Sequence, residues 1–118
     1  MAPRYGLPWA ARLRRRGDFV RAYEEGTKVV RHPLVLFARR SDRDGVRLGI
    51  TATRKIGNAV TRNRAKRLVR EAYRCQPLRE CGGWDLVVVV RPRLLQLHPD
   101  ALGTVLREAA VAGMRPCA

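Results

Sequence analysis

Acidic residues are scarce in this chain of 118 residues: ten Asp and Glu stand against twenty-five Lys and Arg, for a formal charge of +15. Such self-repulsion is tolerated when the partner is a polyanion, so nucleic acid or an anionic membrane surface is implied. The few acids do not converge. Glu24 and Glu25 are adjacent, Asp42 and Asp44 fall in one turn signal, and Asp18, Glu71, Asp85 and Asp100 read as cap, surface or strand-edge residues. The convergent carboxylates of a two-metal phosphodiesterase are therefore not assembled by spacing. Histidine is scarcer still: His32 and His98 each precede a proline at an expected element boundary, which suggests structural roles rather than paired-histidine ribonuclease chemistry.

Cysteine is limited to Cys75, Cys81 and Cys117, an odd number without a C-x-x-C pair, so neither a disulfide framework nor a zinc ribbon is supported. Reduced thiols in the cytosol are expected. Long apolar runs are missing too. "LVVVV" at 86–90 is far too short to span a bilayer, and "MAPRYGLPWAARLRRR" holds no apolar stretch for a signal peptide, so a soluble, cytoplasmic protein with no membrane partner is expected. Lysine is nearly absent, only Lys28, Lys55 and Lys66, and the arginines that replace it suit bidentate phosphate contacts and stacking on bases.

What is present suffices for one core: 46% of residues are hydrophobic, and no internal repeat or low-complexity segment divides the chain. Residues 1–11 mix Pro3, Gly6, Pro8 and Trp9 without a period and read as a flexible N-terminal arm, 12–113 as a single RNA-binding domain, and 114–118 as a C-terminal tail. From Asp18, a plausible N-cap, "DFVRAYEEG" predicts a short helix with Phe19, Val20 and Tyr23 near one side and a stop at Gly26. "KVVRHPLVLFARR" predicts a strand interrupted by Pro33, and "DRDG" at 42–45 predicts a hairpin turn into "VRLGITATRK". In that second hairpin strand Leu48, Ile50 and Ala52 form a packing face, while Gly49, Thr51 and Thr53 form a face left available. "GGWDLVVVVRP" predicts a central strand buried on both faces, and "HPDALGTVLREAAVAG" a closing helix with Leu102, Val105, Leu106 and Ala109 on one stripe. The result is an α+β sandwich.

The segment "AVTRNRAKRLVREAYRC", 59–75, predicts a helix of unusual charge. At roughly 100° per residue, Arg62, Asn63, Lys66, Arg67, Arg70 and Arg74 fall within an arc of about 140°, opposite Ala65, Leu68, Val69, Ala72 and Cys75. No acid stands at i+4 from Arg62, Lys66 or Arg70, whereas an ordinary solvated face intersperses signs. A plain arginine-rich surface and a membrane-surface helix are the alternatives, the latter weakened by an apolar arc without Trp or Phe. Gly57 offers an unusual backbone angle, and Asn58 or Thr61 an N-cap, so the helix start has donors ready for a phosphate.

The run "TRKIGNAVTRNRAKRLVREAYR", with Arg62-Asn63-Arg64 at its centre, resembles the signature of the bacterial ribonuclease P protein component. "RLRRRGDFVRAYEEGTKV", "HPLVLFA" and "LVVVVRP" resemble that family's first helix, second strand and fourth strand, and the likeness runs from about Arg12 to Ala112. It implies a two-layer α/β sandwich of order αβββαβα, with a left-handed βαβ crossover through the basic helix where spacing alone leads to the right-handed default. It implies a subunit of a ribonucleoprotein endoribonuclease that binds a catalytic RNA and precursor tRNA. The RNA removes the 5′ leader by metal-dependent hydrolysis, with Mg2+ held mainly by RNA and the protein a monomer before RNA assembly. Arg62, Asn63, Arg64, Lys66, Arg67 and Arg70 match the face for the catalytic RNA. Phe19, Tyr23, Val35 and Phe37, with Thr51, Thr53 and Lys55, match the lining of the leader cleft, with Tyr23 standing where phenylalanine is frequent. Independently of the likeness, Val35, Phe37 and Arg39 alternate onto one strand face, and rings beside cations suit stacked bases of a single strand. Plain core packing is the other reading for Phe19 and Phe37. The alternative function is a standalone RNA-binding or ribosome-associated protein.

Overall fold

A computed structural model describes residues 12–43, 45–74 and 83–114. The arm at 1–11, Asp44, all three cysteines and the expected tail apart from Met114 lie outside the described residues, and Met114 itself is buried in the core. The elements run α1 (Arg16–Glu25), β1 (Thr27–Arg31), β2 (Leu34–Arg40), β3 (Val46–Thr51), α2 (Ala59–Arg74), β4 (Trp84–Val90) and α3 (Pro99–Gly113), the αβββαβα order, with short 3₁₀ turns at Arg54–Ile56 and Pro92–Gln96.

The sheet order is β1-β2-β4-β3. β1 and β2 form a hairpin through a turn at His32 and Pro33, joined by a cis peptide bond. The expected hairpin across 42–45 does not form, because β4 inserts between β2 and β3, antiparallel to β2 and parallel to β3. The valine run explains this outcome: a strand apolar on both faces is best placed in the middle, where both its edges are hydrogen-bonded and both its faces are covered. The parallel pair β3 and β4 is linked by α2, so the crossover runs through the basic helix.

On one face, Leu34, Leu36, Leu48, Leu86, Val88 and Val90 pack beneath Ala65 and Val69 of α2 and Leu102, Leu106 and Ala109 of α3. Fully burying each of the leucine and valine side chains stabilises by roughly 1.5–3 kcal/mol relative to exposure. On the other face lies a smaller cluster of Leu13, Ala22 and Val87, flanked by Phe19 and Phe37, beneath α1. Val20 does not join Phe19 there; it is 39% exposed, and Ala22 takes the inward position.

Local chemistry sets the helix starts. α1 begins two residues before the expected cap: Arg15 is its N-cap without a side-chain bond, and Asp18 falls within the first turn, where a carboxylate favours the helix dipole. For α2 the cap is Asn58, whose Oδ1 accepts from the Thr61 backbone N–H at 3.0 Å and from the Thr61 hydroxyl at 2.9 Å. Gly57 before it takes φ +143°, which explains the glycine. His98 caps α3, its Nδ1 accepting from the Asp100 N–H at 3.2 Å. Among the described residues no helix is long and apolar enough to cross a membrane.

Candidate nucleic-acid interface

α2 buries Ala65, Val69 and Tyr73, a stripe of every fourth residue that runs beside the cationic arc rather than diametrically opposite it. Tyr73 was absent from the expected apolar set, and Leu68 and Ala72 only flank the core. In consequence Arg62, Lys66 and Arg70 are half-buried, while Asn63, Arg64 and Arg67 are exposed. None of Arg62, Arg64, Lys66, Arg67 or Arg70 forms an ion pair with a described residue.

Four of the expected residues come together with one that sequence reasoning did not assign. Asn63, Lys66, Arg67 and Arg70 line a groove with Arg12, and among the described residues Glu71 is the only acid on its wall. Arg62 and Arg64 lie outside that groove. Arg12 reaches it because the chain before α1 runs along the free edge of β3: Arg12 bridges Leu48 in parallel register, and the Leu13 N–H donates to the Leu48 carbonyl at 2.9 Å. Burial and, second, the Arg12 charge hold the Arg70 guanidinium below the ordinary arginine range, although it stays cationic at neutral pH. The negative charge of a phosphate placed here would oppose both effects by favouring the charged guanidinium.

Arg12, Lys66 and Arg70 also line a second groove on the α1 side of the sheet, with Phe19, Gly49 and Ile50. The cationic helix face and the aromatic surface are thus continuous around the β3 edge. This juxtaposition follows from tertiary placement and carries no local sequence signal.

The aromatic surface is built on the odd residues of β2, β4 and β3. Phe37, Val87 and Gly49 share one row, and Val35, Val89 and Thr51 the next. Phe19 covers Gly49, so the small-residue face of β3, expected to be available, is partly roofed by α1. An isolated glycine in a strand pattern signals such a close approach. Tyr23, 38% exposed, meets Phe37 edge to face at 5.0 Å between ring centroids and hydrogen-bonds the Thr51 hydroxyl at 2.7 Å. Val35 is only 3% exposed and forms floor rather than contact surface. Thr53 and Lys55 are exposed just past β3, at the start of and within the 3₁₀ turn. The structure therefore brings together Phe19, Tyr23, Phe37 and Thr51 over Val35, with Thr53 and Lys55 at the margin.

Asp85 departs most from expectation: it is neither cap, surface nor sheet edge but lies 1% exposed in central β4. Arg47 donates to it twice, Nε to Oδ1 and Nη2 to Oδ2, each at 2.9 Å, and Arg39 Nη1 stands 4.0 Å from Oδ2. The same arginines reach α1, Arg47 to Asp18 at 3.6 Å and Arg39 to Glu25 at 3.3 Å. Hydrogen bonding to Asp85 raises the Arg47 pKa, against an opposing effect of burial and with further help from the Asp85 and Asp18 charges. Among the described residues no group of three or more His, Cys, Asp or Glu is placed to hold a metal ion. Asp18, Glu25 and Asp85 already face arginine, so these side chains do not fit a protein-held Mg2+.

Comparison with known proteins agrees with the geometry over most of the chain. A family model described as Ribonuclease P matches residues 7–111. The Ribonuclease P protein component of Gluconacetobacter diazotrophicus is 41% identical over 110 residues, 88% of this chain and 95% of that protein. That of Ruegeria pomeroyi is 40% identical over 102 residues, 82% and 81% of the two chains. Among solved structures, the RNase P protein from Thermotoga maritima superposes with a TM-score of 0.73 at 31% identity, covering 88% of this chain and 96% of that one. The Staphylococcus aureus RNase P protein gives 0.70 at 28% identity, covering 84% and 91%.

Proposed function

The chain belongs to the bacterial ribonuclease P protein family, the protein component of a tRNA-processing endoribonuclease, and from that premise we propose how its surfaces divide the work. The groove of Asn63, Lys66, Arg67 and Arg70, extended by Arg12 and flanked by Arg62 and Arg64, binds the catalytic RNA through phosphates. The cleft of Phe19, Tyr23, Phe37 and Thr51 over Val35, with Thr53 and Lys55 at its margin, takes the single-stranded 5′ leader of precursor tRNA. Catalysis resides in the RNA, which holds the Mg2+, and the protein contributes positioning and charge. It acts in the cytoplasm and is a monomer before it meets the RNA.

The observation that carries this reading is the continuity of the two grooves through Arg12, Lys66 and Arg70. A cationic track that runs from a helix face whose Arg62, Lys66 and Arg70 form no ion pair with a described residue into a ring-bearing cleft suits one polyanion on the helix and a single strand leaving it, since phosphate contacts position and stacked bases tolerate any sequence. The test is reconstitution: purified protein and cognate RNA should cleave precursor tRNA at low magnesium, where neither does alone. Equal cleavage with and without protein at low magnesium would remove the assisting role and leave a standalone RNA-binding protein as the better description.

A further inference from the structure

One row of the sheet carries charge through the interior. Arg39, Asp85 and Arg47 are register partners on β2, β4 and β3, on the face beneath α1. Each arginine joins the buried Asp85 to one acid of the helix, Arg47 to Asp18 and Arg39 to Glu25. Asp18 and Glu25 are seven positions apart, about 700° of helical rotation, so they point in nearly one direction from the two ends of α1. Ala22, fully buried, lies between them on the same stripe.

That arrangement fixes the helix at two points. Among the described residues the apolar cluster beneath α1 is small, with Leu13, Ala22 and Val87 fully within it, and apolar contact is non-directional, so it resists lifting of the helix more than rolling. The bidentate pair of Arg47 with Asp85 is directional and fixes that guanidinium between β3 and β4, from where single contacts reach α1, Arg47 to Asp18 at 3.6 Å and Arg39 to Glu25 at 3.3 Å. Buried ion pairs contribute little net stability compared with apolar replacements of similar volume, which makes geometry the more natural role for this one. Phe19 and Tyr23 each follow the anchoring stripe by one residue, about 100° around the helix, so the roll of α1 decides where both rings point.

We propose that Asp85 is a positioning residue for the leader cleft. Through Arg39 and Arg47 it holds α1 at the angle at which Tyr23 meets Phe37 and Thr51, and so sets how much more tightly the holoenzyme binds RNA with a single-stranded 5′ extension than RNA without one. The inference rests on the leader-cleft reading above.

The experiment measures holoenzyme affinity for precursor and for mature tRNA, the protein's affinity for the catalytic RNA, and the ring-current-shifted NMR resonances of Phe37. Three proteins are compared with the parent: Asp85→Asn, Phe37→Ala, and a combined Asp85→Leu, Arg39→Met, Arg47→Met variant that replaces the charges by apolar volume. In Asp85→Asn the precursor-to-mature affinity ratio should fall about tenfold, since small misplacements of binding groups are costly. The Phe37 shifts should move and catalytic-RNA affinity should stay within about twofold, because the α2 contacts that dominate it are untouched. The combined variant should fold yet keep the low ratio, separating orientation from stability. A parent-like ratio in folded Asp85→Asn, alongside a reduced ratio in Phe37→Ala, overturns the positioning role while sparing the cleft, as does a parent-like ratio in the combined variant. A ratio unmoved by Phe37→Ala removes the leader cleft itself and this inference with it.

Discussion

Phe19 and Gly49 are in direct apposition: a Cβ added at Gly49 would fall 2.6 Å from Cζ and 2.7 Å from Cε1 of the ring, and 3.0 Å from the Leu13 Cβ. The absence of a side chain at Gly49 is therefore what lets α1 lie close to the sheet with the Phe19 ring against the strand. Gly49→Ala should destabilise the fold by about 1–3 kcal/mol, the usual cost of overpacking. Urea unfolding measures this as a lower midpoint at constant slope. An unchanged midpoint would mean that the ring swings aside freely and that the apposition is not a constraint.

How far the sequence disclosed this arrangement depends on the range of the interactions. α2 was legible almost to the residue, because its charge pattern, Asn58 and Gly57 lie within one short segment. The central position of β4 was legible from the unbroken valine run. The pairing of Asp85 with Arg47 joins residues 38 positions apart, and its register depends on β4 entering between two strands that adjacency had paired. Asp18 misled for a related reason: an acid near a helix start reads as a cap, yet its partner is Arg47 on a distant strand. The one-sided cations of α2 were readable from local spacing, but their meeting with Arg12 was not, because Arg12 reaches α2 only by running beside β3.

Salt dependence tests the cationic groove. If Lys66, Arg67 and Arg70 contact phosphates, replacing all three by Ala should lower affinity for the catalytic RNA and reduce the slope of log K against log salt by roughly 0.7–0.9 per lost contact. Binding titrations across salt concentrations, with circular dichroism to verify folding, give the slope. A folded triple variant with the parent slope would place the RNA elsewhere.

Tyr23 separates ring from hydroxyl. Tyr23→Phe retains the edge contact with Phe37 and loses only the bond to Thr51, so it should change precursor-tRNA affinity by no more than about 1 kcal/mol. Tyr23→Ala removes the stacking surface and should cost on the order of 1–3 kcal/mol for precursor tRNA, with mature tRNA little affected. Equal losses from the two substitutions would assign the contact to the hydroxyl instead of the ring.

Arg47→Ala leaves Asp85 buried with Arg39 as its only nearby described cation, at 4.0 Å. Stability should drop by about 3–5 kcal/mol, the range for breaking a buried pair from one side. The folded-state pKa of Arg47 is raised, so the stabilisation linked to its protonation is complete below the unfolded-state value and is lost only as pH climbs through the folded one. Both lie in the strongly alkaline range. Denaturation of parent and variant through the neutral range should therefore show no pH dependence traceable to Arg47, and a parent protein losing this stability near neutrality would contradict the assignment.

The last expectation concerns where the bond is broken. Protein acids are few, three of them are engaged with arginine, and His98 is occupied as a helix cap. If the RNA carries the chemistry, the protein acts by holding substrate and by offsetting phosphate repulsion that magnesium would otherwise screen, so elevated magnesium should partly replace it. The cognate RNA alone should then cleave at the correct position in high magnesium, and the protein alone should not cleave at all. Glu24→Ala, Asp42→Ala, His32→Ala and His98→Ala should each leave holoenzyme turnover within about tenfold of the parent, a barrier change near 1.4 kcal/mol. His98→Ala adds an informative contrast, because loss of a helix cap costs roughly 1 kcal/mol of stability without touching the reaction. A melting temperature that falls while turnover holds is the expected pattern. Leader hydrolysis by rigorously RNA-free protein, abolished by one of these four substitutions, would move the chemistry onto the protein and require a site that the acids and histidines among the described residues do not form.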